Sequence, residues 1–378
     1  MEGSKKINFY TNLIYFVVVA GFVVIRICSN FGLFSFLGDY GGYVLSIVTQ
    51  LGLLLFLPLL LFKIFSKSSV KETFKFCSFK KISYKSVLVA IVLGVIVFFL
   101  NVYVSSFFNS IIQFFGYKPL TSSSALPSTW WVLLLNLLCT AVLPAICEET
   151  LHRGLLLKGN SNLGMKKSIL ISGFLFGLLH LNIEQFFYAS IIGLFLGYLC
   201  WCTSSIYPCI IIHFMNNGIS VFLSFARDKG WAIGNIFVAI SEFLTKNPVL
   251  GFVMFMLVLC LLFIFALELT KFLIKDAFTY NFAEKHKELA SKFIRQSYFN
   301  DIENIKNNQY SSNQTPDGKE IIYVNADDLA EFVGKNLESV SLFQKTDKSL
   351  ENKSKIFLWA SFALSAIITI MTFIWGLL

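Results

Sequence analysis

The chain has 378 residues, 56% of them hydrophobic and only 14% charged, with a mean hydropathy of +0.70. Soluble globular domains carry about a quarter charged residues, so this composition excludes an ordinary soluble fold and points to an all-α, polytopic membrane helix bundle. The net charge of +9 is no nucleic-acid signature, because many basic residues lie between apolar runs, where they set topology.

An apolar run of about 20 residues, rising 1.5 Å per residue, crosses a bilayer. By that rule nine spans are predicted, near 8–27, 42–62, 86–108, 129–152, 168–182, 185–201, 206–225, 248–270 and 356–377. The fifth and sixth are short and separated only by "NIE", so the expectation is about 8–9 transmembrane helices. The first follows "MEGSKK" without a small-residue cleavage site and reads as a retained anchor. After the second span come Lys63, Lys67, Lys71, Lys75, Lys80, Lys81 and Lys85 against a single acid, Glu72. The positive-inside rule makes that loop cytoplasmic, and counting outward puts the N-terminus, Lys158, Lys166, Lys167, Lys271 and Lys275 on the same side.

Two glycine pairs, Gly173 with Gly177 and Gly193 with Gly197, have the small-residue spacing that lets membrane helices approach closely. Trp359 and Trp375 are about 24 Å apart along a helix, a suitable pair of interfacial anchors. Eight cysteines include no C-x-x-C pair, and buried free thiols are expected. Residues 276–355 are mixed in charge and expected to be a partly helical cytoplasmic insertion, broken by "SSNQTPDG" and able to bind a cytoplasmic partner. His286 within it reads as a solvated surface residue. The domain reading is therefore N-terminal transmembrane helices 1–127, a core 128–226, a further transmembrane helix 227–275, the insertion 276–355 and a C-terminal helix 356–378.

Ionisable groups inside spans are costly and face a bundle interior or a wet cavity. Here they are Glu148, Glu149 and Arg153 in "PAICEETLHRGLL", His180 ending "SGFLFGLLH", and His213 with Asn217 in "HFMNN". On a helix, residues four apart face one another, so Arg153 pairs with Glu149 and leaves Glu148 free. His152, beside Arg153, reads as structural. Pro144 has no amide hydrogen, so the Thr140 carbonyl loses its donor, and a kink or a wet opening is expected there. The acid, imidazoles and amide reach comparable depth in three spans. A sheltered carboxylate can act as general base toward water, imidazoles can assist or bind metal, and an amide can support an oxyanion. No serine or cysteine nucleophile motif is present, so attack by activated water is the simpler hydrolytic scheme. From these residues alone three readings stand: an enzyme, a proton- or ion-coupled transporter, and a structural or scaffold bundle.

These three stretches resemble the motifs of the CAAX-protease and bacteriocin-processing (Abi) family of intramembrane proteases, which includes the type II CAAX prenyl endopeptidases. E-E-x-x-x-R stands at Glu148–Arg153, F-x-x-x-H at Phe176–His180 and H-x-x-x-N at His213–Asn217. The resemblance covers roughly 128–226 and implies a helical core in which Glu148 activates water with help from His180, while His213 and Asn217 stabilise the oxyanion. It implies a supporting role for Glu149 and Arg153, and a membrane-associated or lipidated peptide or protein as substrate. The family is labelled metalloprotease, yet a metal-free mechanism is also proposed for it. Zinc therefore stays open, with Glu148, His180 and His213 as candidate ligands and no H-E-x-x-H signature. Bacterial members also act in peptide maturation and in immunity to bacteriocins. Frequent Lys, Asn, Ile and Phe suggest a bacterial cytoplasmic membrane protein.

Overall fold

In lipid, backbone amides find no water, so apolar segments satisfy them internally as helices. The computed structural model describes residues 2–118, 128–236, 248–285 and 352–377, with residues 239 and 350 and the short stretches 312–314 and 320–322. The helices are α1 (Glu2–Asn30), α2 (Ser35–Ser66), α3 (Val70–Phe76), α4 (Tyr84–Phe114), α5 (Trp130–Leu157), α6 (Met165–Leu179), α7 (Ile183–Thr203), α8 (Tyr207–Asp228), α9 (Pro248–Lys285) and α10 (Asn352–Leu377). The expected polytopic helical bundle is thus what forms. Within the insertion, which was expected to be partly helical around a turn-rich run, β1 (Ser312–Gln314) lies in that run and pairs antiparallel with β2 (Glu320–Ile322). His286 and most of 276–355 lie outside the described residues.

Among the described residues, eight helices are long and apolar enough to cross a membrane. The expected fifth span is instead a 15-residue helix, α6, reaching about 22 Å against a hydrocarbon core of about 30 Å. The chain turns back at His180–Asn182 with Leu181 at a left-handed φ of 49°. Such irregular backbone is tolerable at depth only where protein covers it or a cavity adjoins it.

Two spans are not uniform. α2 is π-helical over Val48–Phe56, and α5 over Leu137–Val142 and again over Thr150–Leu157. A π turn admits an extra residue and re-aims side chains, and it often marks a functional site. A proline, which cannot donate a backbone bond, follows the first two: Pro58 and Pro144.

The glycine pairs do what their spacing suggests. A Cβ on Gly193 would lie 2.7 Å from the Gly173 carbonyl oxygen, so α6 and α7 touch backbone to backbone. Polar ties define the two ends of the bundle. At one end Asn12 of α1 bonds Asn160 beyond α5 and Ser354 of α10, at 3.2 and 2.9 Å. The same end holds Ser86 of α4 against Asp276 of α9 at 2.6 Å, and Ser205 before α8 against the Lys80 carbonyl at 2.6 Å. The lysine-rich loop, the start of α1 and the end of α5 therefore share one side, as the lysine count requires. There α3 is capped by Ser69, whose backbone N–H and hydroxyl hold the Glu72 carboxyl below its ordinary range. At the other end Tyr117 donates to Glu184 at 2.8 Å, and Lys118 N–H donates to the Gly376 carbonyl at 2.8 Å. Burial and the adjoining Glu184 push the Tyr117 phenol up to about 12.

Trp359 and Trp375 are both exposed on the lipid-facing surface of α10. The thiol expectation needs correction: Cys77, Cys139, Cys147, Cys200 and Cys209 are buried, but Cys28 and Cys202 are half-buried and Cys260 is exposed. Helix α9 also runs unbroken to Lys285, past the position where the insertion was expected to begin.

Gly193→Val should drive the branched side chain into the α6 backbone and cost about 1–3 kcal/mol or more. A lowered unfolding temperature in detergent would register it. Gly197→Ala, whose Cβ meets Ile169 Cγ2 at 3.5 Å, should leave that temperature unchanged.

Candidate active site

Arg153 is fully buried, as is Glu149. A guanidinium cannot shed its charge, so it must be paired where it lies. Its Nη1 donates to Glu149 Oε1 at 3.0 Å, and its Nη2 donates to the Gly193 carbonyl of α7 at 3.0 Å. From α8, His213 Nδ1 donates to the same Glu149 oxygen at 2.9 Å. The i, i+4 pair read from the sequence is present, and it extends into a charged node joining α5, α7 and α8.

The node closes over Phe176 of α6. The Arg153 guanidinium carbon lies 4.4 Å from the ring centroid, a cation–π contact. The rings of His152, His180 and His213 stand edgewise to the same phenyl at 5.0, 5.4 and 5.6 Å. Three of the four histidines in the chain therefore gather on one phenylalanine. That contact brings His180 and His213, from separate helices, into one cluster.

Glu148 points elsewhere, as adjacent helical residues must. Its Oε1 accepts from Gln50 Nε2 of α2 at 2.9 Å, while its Oε2 is buried and has no hydrogen-bond partner among the described residues. His152, read from the sequence as structural, is tied at both ring nitrogens. It is fully buried; its Nδ1 donates to the Glu148 carbonyl at 2.8 Å and its Nε2 meets the Tyr15 hydroxyl at 3.2 Å. That hydroxyl also reaches the Leu175 carbonyl at 2.9 Å.

His180 ends α6, half-exposed, with Nδ1 donating to the Phe176 carbonyl at 3.0 Å. In the neutral ring this leaves a lone pair on Nε2. The turn that follows is fixed: Asn182 caps α7 by accepting from Glu184 N–H at 2.8 Å, and Ile183 N–H donates to Thr372 of α10 at 3.1 Å.

Pro144 leaves the Thr140 carbonyl unsatisfied, and the structure supplies its partner from another helix. Asn217 Nδ2 donates to that oxygen at 2.9 Å. Behind it, Asn216 Nδ2 donates to Asn217 Oδ1 at 2.8 Å, and Asn101 Nδ2 of α4 donates to Asn216 Oδ1 at 3.2 Å. One Asn217 N–H is thereby committed and the second is left for other use.

Gln50, Tyr15, Asn101 and the Gly193 carbonyl were missed from the sequence. For the three side chains the signal existed: each is a polar group inside an apolar span, the criterion that singled out the glutamates.

A zinc centre needs three or more protein donors around one point. Among the described residues no three His, Cys, Asp or Glu side chains gather so. The Nδ1 atoms of His180 and His213 donate to the Phe176 carbonyl and to Glu149, which leaves their Nε2 atoms to serve as bases or ligands. An apolar cavity of about 390 Å³ opens between α4, α5 and α8, and no residue of the node lines it. Ile91, Ala145, Ile146, Phe214 and Met215 are in its lining.

Residues 129–219, from α5 into α8, match the family model described as "Type II CAAX prenyl endopeptidase Rce1-like". All three motif stretches fall inside the match; Tyr15, Gln50 and Asn101 fall outside it. No curated protein and no solved structure matches.

Removing one member of a buried ion pair costs about 3–5 kcal/mol because the other charge is stranded. Arg153→Leu should therefore fail to accumulate or unfold well below the wild type in a detergent melt. Arg153→Lys, lacking the planar fork that serves Glu149 and Gly193 together, should recover stability only in part.

Proposed function

With residues 129–219 belonging to the family of type II CAAX prenyl endopeptidases and the apolar helices marking an integral membrane protein, we propose that the chain is an intramembrane endopeptidase whose nucleophile is a water activated by Glu148. The observation that carries this reading is the division of labour between adjacent acids. Glu149 Oε1 is committed to Arg153 and His213, whereas Glu148 Oε1 meets only the neutral Gln50 amide; each acid keeps a buried Oε2 with no partner among the described residues.

The chemistry follows from what each side chain has left to offer. Glu148 takes a proton from water as the water oxygen attacks the peptide carbonyl carbon. His180, neutral with its Nε2 lone pair, assists that transfer and helps return the proton to the departing amine. His213 turns its Nε2 edge to the site; as an imidazolium it donates to the oxyanion, with Glu149 as compensating charge. Asn217 supplies its second N–H. Glu149 and Arg153 hold His213 in place. The substrate is a membrane-associated or lipidated peptide or protein. The lysine-rich end faces the cytoplasm together with the N-terminus, in a bacterial cytoplasmic membrane.

Purified protein in lipid nanodiscs, assayed by mass spectrometry on lipidated and leader-type peptides, tests the assignment. Glu148→Gln and His180→Ala should each lower kcat by about 100-fold or more without changing the melting temperature. Turnover unchanged in Glu148→Gln would refute the proposed base.

A further inference from the structure

Resting on the reading of Glu148 as base, we propose that Gln50 is a catalytic residue that fixes the base and holds one hydrogen of the attacking water. Gln50 belongs to α2, outside the matched segment, so nothing in 129–219 would have pointed to it. It lies within the π-helical run Val48–Phe56. Two neighbouring ties pin this part of α2 to α5: Tyr43 donates to Asn136 Oδ1 at 2.8 Å, and Ser46 reaches the Cys139 carbonyl at 3.3 Å. The register that presents Gln50 to Glu148 is thus held from the turn before it.

The direction of the contact follows from proton count. An ionised carboxylate only accepts, so the Gln50 amide must turn its Nε2 toward Glu148 Oε1, at 2.9 Å. Gln50 Oε1 then faces away. That oxygen and Glu148 Oε2 are both buried, and neither has a hydrogen-bond partner among the described residues. A water molecule complements them, since it has two hydrogens to give and a lone pair to turn toward a carbonyl carbon.

The step balances without any further reagent. The water oxygen forms a bond to the peptide carbonyl carbon while one of its protons passes to Glu148 Oε2. The second hydrogen stays on the new hydroxyl and remains bonded to Gln50 Oε1. When the C–N bond breaks, the proton held by Glu148 goes to the departing amine, giving a carboxylic acid and an amine.

The test uses the full chain in nanodiscs with two variants, Gln50→Met, which keeps length but removes the amide, and Gln50→Glu, which keeps shape but loses the N–H. Either should lower kcat by about 10–100-fold on the lipidated peptide, with KM and melting temperature unchanged. A second readout needs no substrate. An apolar carbodiimide at neutral pH, with adducts mapped by mass spectrometry, should modify Glu148 about threefold faster or more in Gln50→Met than in wild type, because the hydrogen bond that holds the carboxylate is gone. Wild-type kcat in a folded variant, or equal labelling of Glu148, would overturn the proposal. Should Glu148→Gln retain cleavage while labelling still responds to Gln50, the base assignment fails and the contact between the two residues stands.

Discussion

A guanidinium buried in the middle of a membrane bundle is the constraint around which the site is arranged. Arg153 cannot be neutralised, so its surroundings must supply a carboxylate, a carbonyl and a π face, and these come from α5, α7 and α6. Each demand fixes something else. Glu149 is held in a geometry that also receives His213, and the Gly193 carbonyl is within reach only because α7 approaches α6 without side chains between them. Phe176, clamped under the guanidinium, becomes the common wall against which three histidines stand. One costly charge thereby sets the positions of groups from four helices.

The same logic explains the division between two adjacent glutamates. The hundred-degree step between neighbours on a helix sends one acid into the charge node and the other toward α2. Glu149 is bonded to ions through one oxygen and Glu148 to a neutral amide through one, and the second oxygen of each is buried without a partner among the described residues. In an apolar setting, an acid with an ionic partner is locked, while one with a neutral partner keeps the freedom to exchange a proton.

Much of this was legible in the chain. Spacing alone named the Glu149–Arg153 pair, the Gly173/Gly177 and Gly193/Gly197 pairs as places for close helix packing, and the carbonyl that Pro144 would strand. Each depends on local periodicity, which the sequence carries directly. What escaped were long-range partners: Gln50 and Tyr15 from helices far from the motifs, and the use of Asn217 to repair the Thr140 carbonyl. Periodicity says which residues share a face, but it says nothing about which face of another helix will meet it. The fifth span was misjudged for a related reason. Apolar composition runs on through His180, yet the helix stops at Leu179, because the left-handed Leu181 and the Asn182 cap begin a new one there.

The row of asparagines behind Asn217 has a consequence of its own. A peptide carbonyl offers lone pairs and no hydrogen, so Thr140 dictates which way the Asn217 amide faces, and that choice passes rearward through Asn216 to Asn101. Nothing in this series ionises. Whatever acidity does to the neighbouring imidazoles, the carboxamide proposed to face the reacting carbonyl keeps its orientation, a polar arm whose aim does not depend on protons.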